Sequence, residues 1–156
     1  MVVVYYILMA KLNIIKEPNE VLRKKSKQVT EFNARLHQLL DDMHETMIKA
    51  MGVGIAAVQV GVLYRVCLVD SETDESVVEL INPVILKATS IREGEEACLS
   101  VPGQKGMVLR PTYLKVSAQD RYGKPFVKEF YGRDAVCASH EIDHLDGVLF
   151  VDKMEA

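Results

Sequence analysis

His140, Glu141 and His144 stand in the run His-Glu-Ile-Asp-His, with the two imidazoles four residues apart. On a helix that spacing puts both rings on one face, one turn from each other, so that they reach a single divalent cation together. The carboxylate beside the first ring then points to the cation's open position and can take a proton from water there. The chemistry so implied is metal-assisted hydrolysis, and the bland alternative is a helix with two incidental histidines. Two imidazoles leave such a site one protein ligand short. Only twelve residues follow His144, and Asp146, Asp152 and Glu155 among them are badly placed to return to it. An upstream ligand is expected. The best candidate is Cys98 in Glu-Ala-Cys-Leu-Ser, flanked by Gly94 and Pro102-Gly103, where a loop could leave the sulfur exposed and ionised by the metal.

A third run, GVGIAAVQVG over residues 52–61, is small and apolar with one carboxamide, Gln59, set in it. Its small residues allow close approach to the backbone. A phosphate-binding loop is the rival, but no Lys-Ser/Thr follows and the preceding segment is helical in pattern.

The elements that must position these residues follow from periodicity. Leu36, Leu39, Leu40, Met43, Met47 and Met51 recur at helical spacing, so one amphipathic helix is expected over residues 30–51, with Gly52 as its left-handed cap. His37 and His44 on it have no second ligand in phase and receive no role. Runs at residues 64–69, 77–86, 113–119 and 125–131 are short, β-branched or aromatic, and bounded by turn residues, which predicts antiparallel strands. Cys67 falls inside the first of them as a core thiol. Residues 133–145 contain no Pro or Gly and precede Gly147, which predicts the helix that carries the two histidines. The expected class is α+β: antiparallel β-sheets packed around a central C-terminal metal-binding helix, with a long N-terminal amphipathic helix.

Composition narrows the function. A chain of 156 residues, 49% apolar, suits one domain spanning residues 1–156. Net charge is −3, with nineteen Lys and Arg scattered among twenty-two acids, so no basic face offers itself to nucleic acid. Three cysteines, Cys67, Cys98 and Cys137, argue against a disulfide framework and for a reducing, cytoplasmic setting. The apolar run over residues 1–9 is far short of the roughly 20 residues needed to span a membrane. Its first eight residues are read as an N-terminal strand or extension. No heptad pattern appears, and a monomer is expected.

Taken together, GVGIAAVQ, EACLS and HEIDH, in this order and at these separations, closely resemble the three signature motifs of peptide deformylases. The resemblance runs over residues 10–154. It implies a metal-dependent hydrolase that removes the formyl group from the N-terminal methionine of newly made proteins and releases formate, working in transient proximity to the ribosome. It further implies Cys98, His140 and His144 as ligands of one divalent ion, with Fe2+ as the native ion where Zn2+, Ni2+ or Co2+ also fit such donors. Glu141 would be the general base. Gln59 and the backbone N–H of Leu99 would hold the oxyanion. Val53, Gly54, Val136 and Cys137, with His140, would line the substrate site, Cys137 as pocket wall and not as ligand.

Three positions depart from the family pattern: Val58, Ala97 and Ser139, where Pro, Gly and often Gln are usual. Ala97 would be strained if its backbone needed a positive φ, and substrate affinity is what it puts in question. Arg110 matches a family arginine expected to pair with Glu96 or Asp143, against the alternative of a solvated strand-end residue. Rival functions are an HExxH peptidase, opposed by Cys98, and a non-catalytic metal-binding relative, opposed by Glu141 and Gln59.

Overall fold

Helix α1 (Ala34–Lys49) forms first along the chain because Asn33 starts it: the Asn33 side chain accepts a hydrogen bond from the Leu36 N–H. The helix therefore begins four residues later than the apolar spacing alone suggests. Residues 12–155 are described in this computed structural model, and the expected extension over residues 1–8 lies outside them. Leu36, Leu40, Met43 and Met47 make the buried stripe of α1. At its end the Met51 N–H donates to the Ile48 carbonyl (3.0 Å) and the Gly52 N–H to the Met47 carbonyl (2.9 Å). The left-handed residue of this cap is Met51, at φ 56°, not Gly52. Gly52 serves a different need, because a Cβ there would lie 3.0 Å from the Leu99 side chain.

Five strands follow in one antiparallel sheet, each paired with the next: β1 (Gly54–Ala56), β2 (Val66–Val69), β3 (Val78–Cys98), β4 (Val101–Gln119) and β5 (Pro125–Tyr131). The described strands thus make one sheet where several were expected. All four residues of β2 are buried. Val66 and Leu68 pack with the α1 stripe, whereas Cys67 and Val69 pack with the second helix, so the strand is covered on both faces and reads as an unbroken apolar run. Burial pushes the Cys67 thiol well up, as befits a core thiol.

β3 and β4 are much longer than their apolar cores. The sequence pattern ends one at residue 86 and starts the other at 113, yet pairing continues from Lys87↔Lys115 to Cys98↔Val101. Residues 84–95 are exposed, so no alternation marks them as strand. Backbone pairing between two neighbours holds them instead, and the closing turn is only Leu99-Ser100. Cys98 is consequently the last residue of a strand, not part of an open loop.

Helix α2 (Arg133–Leu145) buries Ala135, Ala138, Ile142 and Leu145 against Leu80, Leu114, Val116 and Phe130 of the sheet. It contacts β1, β2, β4 and β5. Gly147, at φ 74°, turns the chain out of the helix under the backbone of Arg23. A Cβ on Gly147 would meet the Arg23 carbonyl oxygen at 2.3 Å. Gly147→Ala is therefore expected to lose about 2–4 kcal/mol of stability, from the left-handed backbone and the clash together. Urea unfolding checks this, and a loss below about 0.5 kcal/mol, the level of an ordinary surface change, would contradict it. Among the described residues no helix is long and apolar enough to cross a membrane.

Candidate active site

α2 and the β3–β4 hairpin meet at their functional ends. His140 and His144 are successive rungs of one face of α2, with ring centroids 5.0 Å apart. The two-residue turn of the hairpin carries Cys98 to them. The ligand atoms of Cys98, His140 and His144 all lie within 4.8 Å of one another, and the Cys98 Sγ is 3.4 Å from His144 Nε2. One thiol and two imidazoles at that separation match the donor set and the size of a tetrahedral divalent-metal site. Cys67 and Cys137 are not part of the cluster.

Neighbouring groups fix the rings. His140 Nδ1 is 2.9 Å from Glu96 Oε1, so the ring N–H is donated there and Nε2 is left with its lone pair. Glu96 in turn receives Arg110 through Nε (2.9 Å) and Nη2 (3.1 Å), while Arg110 Nη1 reaches Asp143 and, at 3.2 Å, Ser139 Oγ. Arg110 is 2% exposed in the middle of β4. It takes both acids that the sequence offered as alternatives, and it is not a solvated strand-end residue. Burial raises the Glu96 carboxyl, but the His140 and Arg110 hydrogen bonds outweigh it and hold Glu96 below the usual range. Burial alone would lower His140, yet its hydrogen bonds with Cys98 and Glu96 push it up to about 10. Burial takes His144 well down, which keeps its ring neutral. Glu96→Gln is expected to weaken metal affinity about 10–100-fold, because His140 loses its charged hydrogen-bond partner. Competition with a chelating dye measures this, and an unchanged affinity would sink the role given to Glu96.

Glu141 is buried, and its Oε1 has no hydrogen-bond partner among the described residues. Desolvation drives its carboxyl up to about 7; His140 and Arg110 pull the other way, and Glu96 adds to the rise. Gly54 makes room for it. A Cβ on Gly54 would lie 2.6 Å from Glu141 Oε2 and 2.8 Å from Cys137 Sγ, so the glycine-rich run is needed for close packing of a strand against the catalytic helix. The Cys137 thiol donates to the Val53 carbonyl at 3.4 Å and is pushed far up by burial, which suits a protonated wall residue and not a ligand.

Gln59 is held from both ends. Its Oε1 accepts from the Ala56 N–H (2.8 Å), and its Nε2 donates to Ser100 Oγ (3.1 Å) and faces Cys98 Sγ at 3.7 Å. The amide NH2 is thereby aimed at the ligand cluster. Ser100 and Phe150, whose ring stacks on His140 with centroids 6.2 Å apart, join the site although nothing in their local sequence pattern marks them. Of the departures, Ser139 accepts from Arg110, Val58 is fully buried in the core, and Ala97 is not among the residues with positive φ, so the strain considered for it is absent.

A groove of about 390 Å3 runs past these atoms, lined by Val53, Gly54, Ala97, Leu99, Val136 and Cys137. A larger hollow of about 620 Å3 lies on the far side of Cys98 and Leu99, beside Leu12, Ile14, Lys16 and Lys49, and does not include Glu141.

The polypeptide deformylase family model matches residues 11–156. The chain belongs to the polypeptide deformylase family. It is 52% identical over 146 residues to peptide deformylase 1 of Bacillus cereus, covering 94% of each chain. Among solved structures it is similar to a peptide deformylase from Legionella pneumophila, with TM-score 0.90 and 42% identity over 94% of this chain and 87% of that one. It is also similar to a Met-Ala-Ser-bound class I type b peptide deformylase from Acinetobacter baumannii, with TM-score 0.88, 35% identity, and 94% and 99% coverage. The chain is thus an enzyme of the deformylases, hydrolases of protein biosynthesis that remove the N-formyl group from nascent peptides.

Proposed function

We propose that the chain hydrolyses N-formylmethionyl peptides at the cluster of Cys98, His140 and His144, with Glu141 as the group that moves the proton. The observation that carries this is the orphaned Glu141 carboxylate, seated against Gly54 and beside three convergent ligand atoms. Cys98 Sγ and the Nε2 atoms of both histidines would hold one divalent ion. Bound there, the ion supplies Lewis acidity, which lowers the pKa of water and polarises a carbonyl. Glu141 accepts the proton of the attacking water and later delivers it to the leaving amine, where its position near neutral pH suits both transfers. Gln59 Nε2 and the Leu99 N–H hold the formyl oxygen as charge builds on it. The products are formate and a peptide with a free N-terminus.

The Met-Ala-Ser bound by the Acinetobacter baumannii relative supports a short peptide beginning with methionine as the ligand of the groove, and an extended pose follows from the family resemblance. Here it would pair with the backbone at Val53 and Gly54, and its first side chain would enter between Val136, Cys137 and His140. Ferrous iron is proposed as the native ion from the family resemblance, although the donor set also accepts Zn2+, Ni2+ and Co2+. Oxidation of Cys98 would destroy the site, so activity is expected to be oxygen-sensitive. A single domain acting as a monomer in the cytoplasm, in passing contact with ribosomes and binding neither nucleic acid nor membrane, completes the reading.

Formate release from formyl-Met-Ala-Ser by anaerobically prepared protein tests it. Release that stops on chelation and returns with added metal is expected. A metal-loaded protein that releases no formate would reopen the peptidase and non-catalytic readings.

A further inference from the structure

Five residues of α2 line the groove, Glu141 and the four that lead out from it along one side of the helix: Arg133, Val136, Cys137 and His140. Their spacing of three, four and seven residues places them along one side of the helix. His140 marks the chemical end, Val136 and Cys137 form an apolar stretch one turn out, and Arg133 stands two turns out, about 10 Å along the axis. Arg133 is the one Lys or Arg among the described residues that line this groove. Its ionic partner is Glu72, with the Arg133 Nε 3.1 Å from Glu72 Oε1 and the two side chains 51% and 62% exposed. A pair that open to water contributes little, so the guanidinium remains available to a ligand.

The distance fits the first residue of the substrate. From formyl carbon to terminal methyl, an extended formyl-methionine spans roughly 7–8 Å at bond lengths of about 1.5 Å. With its reacting carbon beside His140 and its side chain against Val136 and Cys137, the thioether ends where the Arg133 side chain begins. The methylenes of Arg133 can cover an apolar tail, while its N–H groups offer strong donors that a thioether sulfur, a weak acceptor, uses poorly. An oxygen at that sulfur would use them well.

Resting on the substrate pose proposed above, we infer that Arg133 sets the specificity of the outer end of the first-residue pocket, and that the enzyme deformylates formyl-methionine sulfoxide as well as formyl-methionine. Methionine is readily oxidised to the sulfoxide, which turns its flexible apolar tail polar. A wholly apolar pocket would leave the sulfoxide oxygen buried without a donor, a loss of about 10–100-fold in kcat/KM. A guanidinium at the end of the pocket removes that loss.

The test compares formyl tripeptides that begin with methionine, methionine sulfoxide or norleucine and share Ala-Ser after it. The reading is the sulfoxide-to-norleucine ratio of kcat/KM within each protein, so that any loss common to both substrates cancels. In Arg133→Leu this ratio is expected to fall about tenfold or more relative to wild type, and Arg133→Lys should recover part of it. Dissociation constants of the deformylated product peptides, measured by calorimetry, should shift in the same ratio without any turnover. An unchanged ratio in Arg133→Leu, with formyl-methionine still processed by wild type, would overturn this inference alone. Failure of the metal-loaded wild type to release formate from formyl-methionine would instead overturn the reading of the site, and this inference with it.

Discussion

Replacing Glu141 with alanine is expected to leave the metal in place and to cut formate release by about 10²–10⁴-fold, the usual contribution of a positioned acid-base group. Glu141 lies outside the ligand cluster, whose atoms come from Cys98, His140 and His144 alone. Its buried carboxylate has no structural partner at Oε1 among the described residues, so the loss should fall on chemistry more than on folding. Glu141→Gln sharpens the test by keeping the shape and hydrogen-bonding capacity while removing the ability to take a proton at neutral pH. It should be nearly as inactive as the alanine variant. Metal content from atomic emission and formate production from the same samples decide the matter. A variant that keeps its metal and turns over within about threefold of wild type, far short of that contribution, would show that the proton goes elsewhere.

Cys98→Ala should instead empty the site. The thiolate is the one anionic donor among the three ligands, and its removal leaves two neutral imidazoles facing an open groove. The loss of metal affinity should exceed the roughly 10–100-fold that follows from disturbing a partner of a ligand. After dialysis the variant is expected to carry little metal and to release no formate. Cys137→Ala is the matched control, since Cys137 Sγ binds the Val53 carbonyl and stands outside the cluster. It should retain its metal. Equal metal retention by Cys98→Ala and Cys137→Ala would remove Cys98 from the ligand set and return the search for the third donor to the rest of the chain.

Cys98 also shows how unevenly the site was legible. His140 and His144 could be read directly, because a helix converts a spacing of four into a shared face with no help from the rest of the fold. The third ligand carries no such local rule. Its flanking Gly and Pro suggest an open loop, whereas Cys98 closes a hairpin whose outer half is exposed on residues 84–95. A strand without a buried face has no period-two pattern to read, so only its backbone partner reveals it. Gln59 was visible as the one carboxamide among small residues, but its two anchors at Ala56 and Ser100 were not.

What the sequence determined by itself was therefore local: α1 through its apolar spacing, α2 through a run without Pro or Gly that ends before Gly147, the strand cores through β-branched and aromatic runs bounded by turn residues, and the pair of histidines with its adjacent carboxylate. Tertiary structure decided everything that depends on contacts between distant segments. It moved the left-handed cap of α1 to Met51, extended the hairpin to Cys98, and buried Arg110 between Glu96 and Asp143. It also gave Gly54 its purpose, which is to let a strand come within reach of a carboxylate 87 positions later in the chain, on α2. Side-chain periodicity records which face of an element is buried, whereas the identity of the group that meets that face is set only when the elements pack.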